Sequence, residues 1–209
     1  HAFAPVDGIL FDLGLSSYHL DRSGRGFSFT RDEPLDMRFD ASRADGATAA
    51  DLLAERDADE LAALFRDYGE ERFASRIART IVARRREQPI TTTRQLLAAI
   101  EQSLPAHARW RAGRDAARIF QALRIAANDE LAQVEAALPQ AVDALAPGGR
   151  LVVIAFHSLE DRRVKHFLRA QVAAGRLRLL QRKPLIAGDA EVAANPRAAS
   201  AKLRAAERL

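Results

Sequence analysis

The first candidate site follows the apolar run that opens the chain. Asp12 ends that run, and Ser16 and Ser17 lie in the glycine- and serine-rich loop behind it. A carboxylate and two hydroxyl groups at a strand end can hold a polar ligand together with backbone N–H groups. The structural alternative is an ordinary turn in which Asp12 caps local amides. This segment predicts a ligand site only in combination with a second one.

The second candidate site follows another apolar run, residues 150–156. His157 comes directly after it, where an imidazole would lie above the edge of a sheet, and Ser158 is next. A histidine there is compatible with catalysis or with a structural role. Ser158 and Asp161 have the spacing of a helix capping box, which would explain both side chains structurally. Because ligands of open α/β sheets bind at the carboxyl ends of strands, we expect both segments to share one site.

Arginines recur on one side of the predicted helix 70–87. At about 100° per residue, Arg72, Arg76 and Arg79 fall together. The opposite, apolar side consists of Phe73, Ile77, Ala78 and Ile81. A row of cations suits the phosphate backbone of a nucleic acid. A solvated face, with neighbouring glutamates as ion-pair partners, explains the same pattern equally well.

Two further groups of side chains are suited to contacts with RNA. Gln121, Arg124 and Asn128 follow one strip of the next long helix, where amides and a guanidinium can read base edges. Arg25 and Phe27 share a loop, and that pairing suits the stacking of unpaired bases. The alternatives are a polar strip that faces water and, for Phe27, a core position in a folded-back loop.

The elements that must position these groups alternate between strands and helices, which predicts an α/β fold. Strand patterns occupy 5–12, 150–156, 176–181 and 201–208, and the first two are apolar enough for buried strands. Helical patterns occupy 48–55, 57–68, 70–87, 92–102, 115–145 and 158–173, with a loop at 103–113. Pro139 would kink or restart the longest of these helices.

Composition limits the class of protein. Hydrophobic residues form 48% of the 209 residues, enough for one mid-sized domain with or without a smaller insert. The absence of cysteine excludes disulfides and thiolate metal sites and fits a cytoplasmic protein. The longest apolar run is far shorter than the roughly 20 residues that span a bilayer, so no membrane association is expected. A start at His1 rather than Met indicates a fragment, a processed product or the ordered part of a longer protein.

The order of the motifs carries more information than any one of them. Two blocks are highly specific, Arg25-Gly26-Phe27-Ser28-Phe29 and Phe156-His157-Ser158-Leu159-Glu160-Asp161-Arg162. Further blocks lie at 7–17, 34–38, 68–72, 120–125, 128–131, 147–151 and 195–197. Together they cover nearly the whole chain, which resembles the ribosomal RNA small subunit methyltransferase H family.

That resemblance implies a Rossmann-like class I methyltransferase sheet, present here in part, with an all-helical insert domain. The methyltransferase domain would comprise residues 1–41 and 128–209, and residues 42–127 would form the RNA-recognition insert. S-adenosylmethionine would be the cofactor, and no metal would be needed. The implied reaction methylates the N4 amine of a cytidine in 16S ribosomal RNA, so the partner would be ribosomal RNA or the small ribosomal subunit.

The resemblance also implies roles for particular residues. Asp12 would contact the cofactor, and a second contact would fall on His19, where the family has glutamine. Asp12 could instead accept a hydrogen bond from the N4 amine. The catalytic candidates are Asp12, Ser16, Ser17, His157 and Ser158. The RNA-binding candidates are Arg25, Phe27, Arg38, Arg72, Arg76, Arg79, Gln121, Arg124 and Asn128.

Two other functions stay open at this point. The family's glycine-rich cofactor loop would precede the first strand, and no other glycine-rich segment of the chain replaces it. A non-catalytic RNA- or partner-binding fragment is therefore one alternative, and an amino-methyltransferase acting on DNA or protein is the other. The sequence is compatible with a monomer or a dimer.

Overall fold

A computed structural model describes residues 4–42 and 46–209, which form two compact units. The sheet unit comprises the described residues up to Gly14 and Leu131–Leu209, and the helical unit comprises Leu15–Glu130. The sequence analysis placed the boundaries between the two domains at 41/42 and 127/128. Residues 15–41 instead pack with the helices, because Phe27, Leu35 and Met37 are buried in the core of the helical unit. No helix in 4–42 or 46–209 is long and apolar enough to cross a membrane.

The described part of the helical unit contains six α-helices. They are α1 (Ser17–Asp21), α2 (Ala49–Glu55), α3 (Ala58–Gly69), α4 (Ala74–Arg85), α5 (Thr93–Ser103) and α6 (Ala112–Asn128). A 3₁₀ segment, Ala106–Arg111, joins α5 to α6 where a loop was expected. Capping boxes begin α2, α3 and α5. In each, a side-chain oxygen of the N-cap residue (Thr48, Asp57 or Thr92) accepts a hydrogen bond from the backbone N–H three residues later.

The core of the helical unit is apolar and joins four helices. Phe65 of α3, Ile77 of α4, Ile100 of α5 and Leu123 of α6 are all fully buried. The expected helix 70–87 begins later, at Ala74, because Glu70 adopts the left-handed conformation (φ 49°) that ends α3. The expected apolar side of α4 is confirmed.

The sheet unit contains α7 (Glu130–Ala144), α8 (Ser158–Ala173) and α9 (Asp189–Ala194). Its strands are β1 (Val6–Asp12), β2 (Leu145–Ala155), β3 (Leu177–Leu179), β4 (Leu185–Ile186) and β5 (Lys202–Arg208). The strand order is β1-β2-β5-β3, with β4 also paired to β5. β1 and β2 are parallel, whereas β5 is antiparallel to both β2 and β3. The α/β class is confirmed.

Two expectations about this unit were wrong. The helix expected over 115–145 is broken at Asp129, whose left-handed conformation (φ 50°) ends α6, and Pro139 lies inside α7. The opening strand is not buried as expected, since Leu10 is 62% exposed. Among the described residues β1 pairs only with β2, so its other edge is open. The central strand β2 is the buried one, with Leu151 and Val153 fully enclosed.

An ion pair fastens α8 to β5. The guanidinium of Arg204 donates to both carboxylate oxygens of Asp161, at 2.7 and 3.2 Å, and Lys202 Nζ lies 3.5 Å away. Burial acts to raise the pKa of Asp161, but the hydrogen bond and charge of Arg204, with the charge of Lys202, outweigh it. They hold the pKa of this carboxyl below its ordinary value of 3.8.

The first prediction concerns the contact of α3 with α6. A Cβ at Gly69 would lie 2.8 Å from the carbonyl oxygen of Arg118, so Gly69→Ala should lower the free energy of unfolding by about 1–3 kcal/mol. Gly113, also helical, is the control, because a Cβ there meets nothing within 4 Å. Gly113→Ala should raise stability by up to about 1 kcal/mol. Urea unfolding measures both, and equal effects would contradict the close approach.

The second prediction concerns the pH dependence of stability. A carboxyl whose pKa is depressed on folding stabilises the folded state above its ordinary pKa and loses that effect as the pH falls through the folded value. Asp161→Asn should therefore cost about 1–2 kcal/mol at neutral pH, and the difference should vanish as the pH falls below 3.8. Thermal unfolding from pH 7 to pH 2.5 measures it. A difference that persists at the acid end would contradict the ion pair.

Candidate functional site

The carboxyl ends of β1 and β2 lie side by side. Asp12 is in register with Ile154, and the N–H of Leu13 donates to the Ile154 carbonyl at 3.0 Å. Beyond the strands, a Cβ at Gly14 would lie 3.5 Å from Cδ2 of Phe156. The segments that follow the two strands therefore meet at one edge of the sheet. The expected adjacency is confirmed.

Asp12 presents an exposed carboxylate at this edge. Within 4–42 and 46–209 no side chain or backbone group forms a hydrogen bond or ion pair with it. The local cap that the structural alternative required is therefore not formed. A carboxylate can only accept hydrogen bonds when ionised, so this position suits a ligand that carries hydroxyl or amine donors.

His157 has a structural role at the start of α8. The ring Nδ1 of His157 accepts from the backbone N–H of Glu160 at 3.4 Å. The backbone N–H of His157 donates to the Glu160 carboxylate, also at 3.4 Å. The expected capping box of Ser158 and Asp161 was wrong by one residue, because Ser158 is already the first residue of the helix. Glu160, which sequence reasoning overlooked, is buried and also accepts from the N–H of Phe156 at 2.9 Å.

A surface cleft of about 260 Å³ adjoins this cap. His157 and Ser158 form one part of its wall, and Ile186 and Lys202 form another. Ile186 is 73% exposed. It belongs to a strand of two residues, which is too short to give a sequence signal. The cleft thus combines an apolar surface with hydroxyl, imidazole and ammonium groups.

The candidates of the loop after β1 belong to the helical unit. Ser16 occupies the N-cap position of α1 without a side-chain capping hydrogen bond, and its Oγ lies 3.0 Å from Nδ1 of His19. Ser17 is exposed and is the first residue of α1. The His19 ring packs edge-on against Phe27 and Phe39, with centroids 5.1 and 5.2 Å away. Burial, followed by the charges of Arg25 and Arg124, lowers the pKa of His19 from its ordinary value.

Three RNA-binding candidates near this loop have partners within the helical unit. The guanidinium of Arg25 donates to the carbonyls of Arg38 and Phe39, at 2.7 and 3.1 Å. Phe27 is only 6% exposed and stacks on Phe39, which makes it a core residue. Arg38 donates to both carboxylate oxygens of Asp36, at 2.7 and 3.0 Å. These side chains stabilise the 25–39 segment.

The polar strip of α6 also faces protein groups. Asn128 donates to the carbonyl of Met37 and accepts from the N–H of Phe39, both at 2.7 Å. Arg124 forms two hydrogen bonds with Glu130, at 2.7 and 2.9 Å, and the pair is largely buried. Gln121 donates to the Tyr68 carbonyl at 2.9 Å. The strip anchors loops of the helical unit, and its polar groups are already engaged.

Arg72, which precedes α4, and Arg76 and Arg79 of α4 differ from all of these. Arg72, Arg76 and Arg79 are exposed, and the guanidinium of Arg72 lies 4.6 Å from the centre of the Phe73 ring. In the part of the chain that the structure describes, no side chain pairs with Arg76 or Arg79. Both line a groove of about 690 Å³ together with Arg84 of α4 and Gln102 of α5. The groove also contains Glu87, but among the described residues two of its arginines have no carboxylate partner.

Comparison with known proteins identifies the family of this chain. The model of the MraW methylase family matches residues 1–209. Curated relatives named ribosomal RNA small subunit methyltransferase H include those of Heliobacterium modesticaldum, 51% identical, and Methylococcus capsulatus, 54% identical. The alignments cover 98% and 97% of this chain and 69% and 70% of those relatives. A third, from Acidothermus cellulolyticus, is 54% identical, over 98% of this chain and 66% of the relative. The chain belongs to the MraW methylase family.

Proposed function

We propose that this chain is part of an enzyme that uses S-adenosylmethionine to methylate the N4 amine of a cytidine in small-subunit ribosomal RNA. The names of the relatives support ribosomal RNA as the substrate. One observation carries the proposal for the site: parallel pairing brings the exposed Asp12 carboxylate and the His157 cap to the same sheet edge. Ligands of α/β sheets bind at such edges.

The two units have different roles in this proposal. The sheet unit is the catalytic part of a Rossmann-like sheet, with the antiparallel β5 inserted between β2 and β3. The helical unit, which the chain inserts between β1 and β2, recognises RNA. Its boundaries then follow the compact units, at 14/15 and 130/131.

Asp12 is the proposed contact to the cofactor in this chain. S-adenosylmethionine, when bound, supplies a methyl group on a positively charged sulfur, and it carries amine and hydroxyl donors. The exposed, acceptor-only Asp12 carboxylate fits those donors, and no internal partner competes for it among the residues described. His19 fits less well, because its ring packs in the aromatic cluster with Phe27 and Phe39.

The cytidine N4 amine is a weak nucleophile, because its lone pair is delocalised into the ring. The protein must therefore unstack the base and hold N4 in line with the methyl group. When bound, S-adenosylmethionine would supply the methyl group to N4, and N4 would lose a proton to solvent. His157 and Ser158 are the proposed positioning residues for the base, because both line the cleft beside the cap.

RNA backbone binding is proposed for the groove of α4. Of the sequence-based RNA candidates, Arg76 and Arg79 line this groove and Arg72 lies just before α4. The others are held by groups of the helical unit. Exposed guanidinium groups pair with phosphate and release counterions, which gives a binding free energy that depends on salt.

The third prediction tests the proposed reaction. Methyl transfer from labelled S-adenosylmethionine by the full-length protein should occur to small-subunit ribosomal RNA and not to DNA or protein. Asp12→Asn should raise KM for S-adenosylmethionine about 10- to 100-fold, since a hydrogen bond to a charged acceptor contributes about 1.5–3 kcal/mol. Asp7→Asn, an exposed carboxylate at the other end of β1, is the control and should leave KM unchanged.

Two results of that assay would contradict the proposal. Methyl transfer to DNA or protein alone would show that ribosomal RNA is not the substrate. A fall in kcat with unchanged KM in Asp12→Asn would move Asp12 from the cofactor to the N4 amine, where it would accept a hydrogen bond as positive charge develops.

The fourth prediction concerns the α4 groove. Each of Arg76→Ala and Arg79→Ala should reduce the slope of log affinity against log salt by about 0.7–0.9 for ribosomal RNA. Arg94→Ala is the matched control, because that side chain is 78% exposed in the same unit but lies 3.6 Å from Asp32. Filter binding between 50 and 300 mM KCl measures the slopes. Arg94→Ala should keep the wild-type slope. If Arg76→Ala and Arg79→Ala keep it as well, the groove does not contact phosphate.

A further inference from the structure

Trp110 is an exposed aromatic side chain in an unusual setting. Its side chain is 77% exposed, although tryptophan is highly buried on average. It lies at the end of the 3₁₀ segment Ala106–Arg111, directly before α6. It is also the one tryptophan of the 209 residues. Neither the motifs of the sequence nor the proposed reaction assigns it a role.

The backbone around Trp110 is anchored on both sides. Leu104 and Ala108 are buried before it, and Arg111 is 9% exposed directly after it. Arg111 Nη2 donates to Asp115 Oδ1 at 3.1 Å, and Asp115 is fully buried. This pair and the buried apolar residues fix the segment, so the outward indole is presented by an ordered support. A rigid aromatic surface loses little conformational entropy on binding.

The surroundings of the indole are cationic. Residues 104–114 contain three arginines, one histidine and no acidic residue. Arg109 and Arg114 are exposed, and the Arg111 guanidinium carbon lies 6.0 Å from the ring centroid. The nearby Asp115 is already engaged by Arg111. Arg109 precedes Trp110 directly in the sequence, and Arg114 follows in the first turn of α6.

This combination favours one class of partner. In the described part of the helical unit, the other exposed large apolar side chain is Tyr18, so Trp110 is not part of an apolar patch of the kind that binds proteins. An isolated aromatic ring among exposed arginines is the pattern that binds single-stranded nucleic acid, because bases stack on the ring and phosphates pair with the cations.

We propose that Trp110 stacks on an unpaired base of the RNA substrate, with Arg109 and Arg114 contacting the flanking phosphates. This inference rests on the proposed function for the identity of the nucleic acid. It assigns a second RNA contact in the helical unit, distinct from the α4 groove by its requirement for an unpaired base. A duplex would satisfy the arginines but not the ring, because its bases are already stacked.

The experiment uses the chain's own tryptophan fluorescence. A single-stranded RNA of 12 nucleotides with mixed sequence is titrated into the protein, and the same RNA annealed to its complement serves as the paired probe. Stacking should quench the fluorescence saturably with the single strand and not with the duplex. The signal of the Trp110→Phe variant is subtracted as background.

Affinity measured by anisotropy of a labelled RNA completes the test. Trp110→Ala should weaken binding of the single strand about 5- to 100-fold, since stacking on one base contributes about 1–3 kcal/mol. Trp110→Phe should retain most of the affinity, and both variants should have wild-type circular dichroism. Unchanged affinity in Trp110→Ala, or equal quenching by the duplex, would overturn the inference.

Failure of this inference is distinguishable from failure of the proposed function. Methyl transfer to ribosomal RNA together with wild-type RNA affinity in Trp110→Ala overturns the stacking role alone. Trp110-dependent binding of the single strand without methyl transfer to ribosomal RNA overturns the proposed reaction and supports the stacking role.

Discussion

The parallel pairing of β1 with β2 is the constraint on which the sheet unit depends. It holds two strands that are more than 130 positions apart in the sequence in a register that runs from Gly8 with Arg150 to Asp12 with Ile154. β2 can fix this register because it is the buried strand, enclosed by β5 on its other edge. The edge that results carries Asp12 on one strand and the His157 cap on its neighbour. Without this pairing, the two side chains would not lie at the same edge of the sheet.

The arginines of the helical unit divide according to whether the protein already satisfies them. Arg25, Arg38 and Arg124 have carbonyl or carboxylate partners at hydrogen-bond distance, and those contacts stabilise loops. Such groups would lose internal hydrogen bonds if they turned to a phosphate. The exposed arginines of α4 would give up fewer internal hydrogen bonds on binding a phosphate. The presence of hydrogen-bond partners within the protein therefore distinguishes structural arginines from candidate RNA contacts. Position on a helical wheel does not.

The sequence predicted the elements better than their ends and surroundings. Apolar runs located β1 and β2, and helical periodicity identified the buried side of α4. The end of α3 was predicted to within one residue, but α4 was predicted to begin four residues too early and the helix end at Asp129 was missed. Left-handed conformations of acidic residues leave no compositional signal comparable to glycine. The strip of Gln121, Arg124 and Asn128 is polar, but its side chains bind the end of α3, Glu130 and the 37–39 segment. Such contacts depend on tertiary structure, as does the open edge of β1.

The most direct measurement of the central claim is a nuclear Overhauser effect between the two strand-end segments. A Cβ on Gly14 would lie 3.5 Å from Cδ2 of Phe156, so the Hα of Gly14 on that side points at the Phe156 ring. A strong cross-peak between these protons is predicted in the assigned spectrum. If both residues are assigned and no cross-peak joins them, the segments after β1 and β2 do not meet, and the proposed site at this edge is wrong.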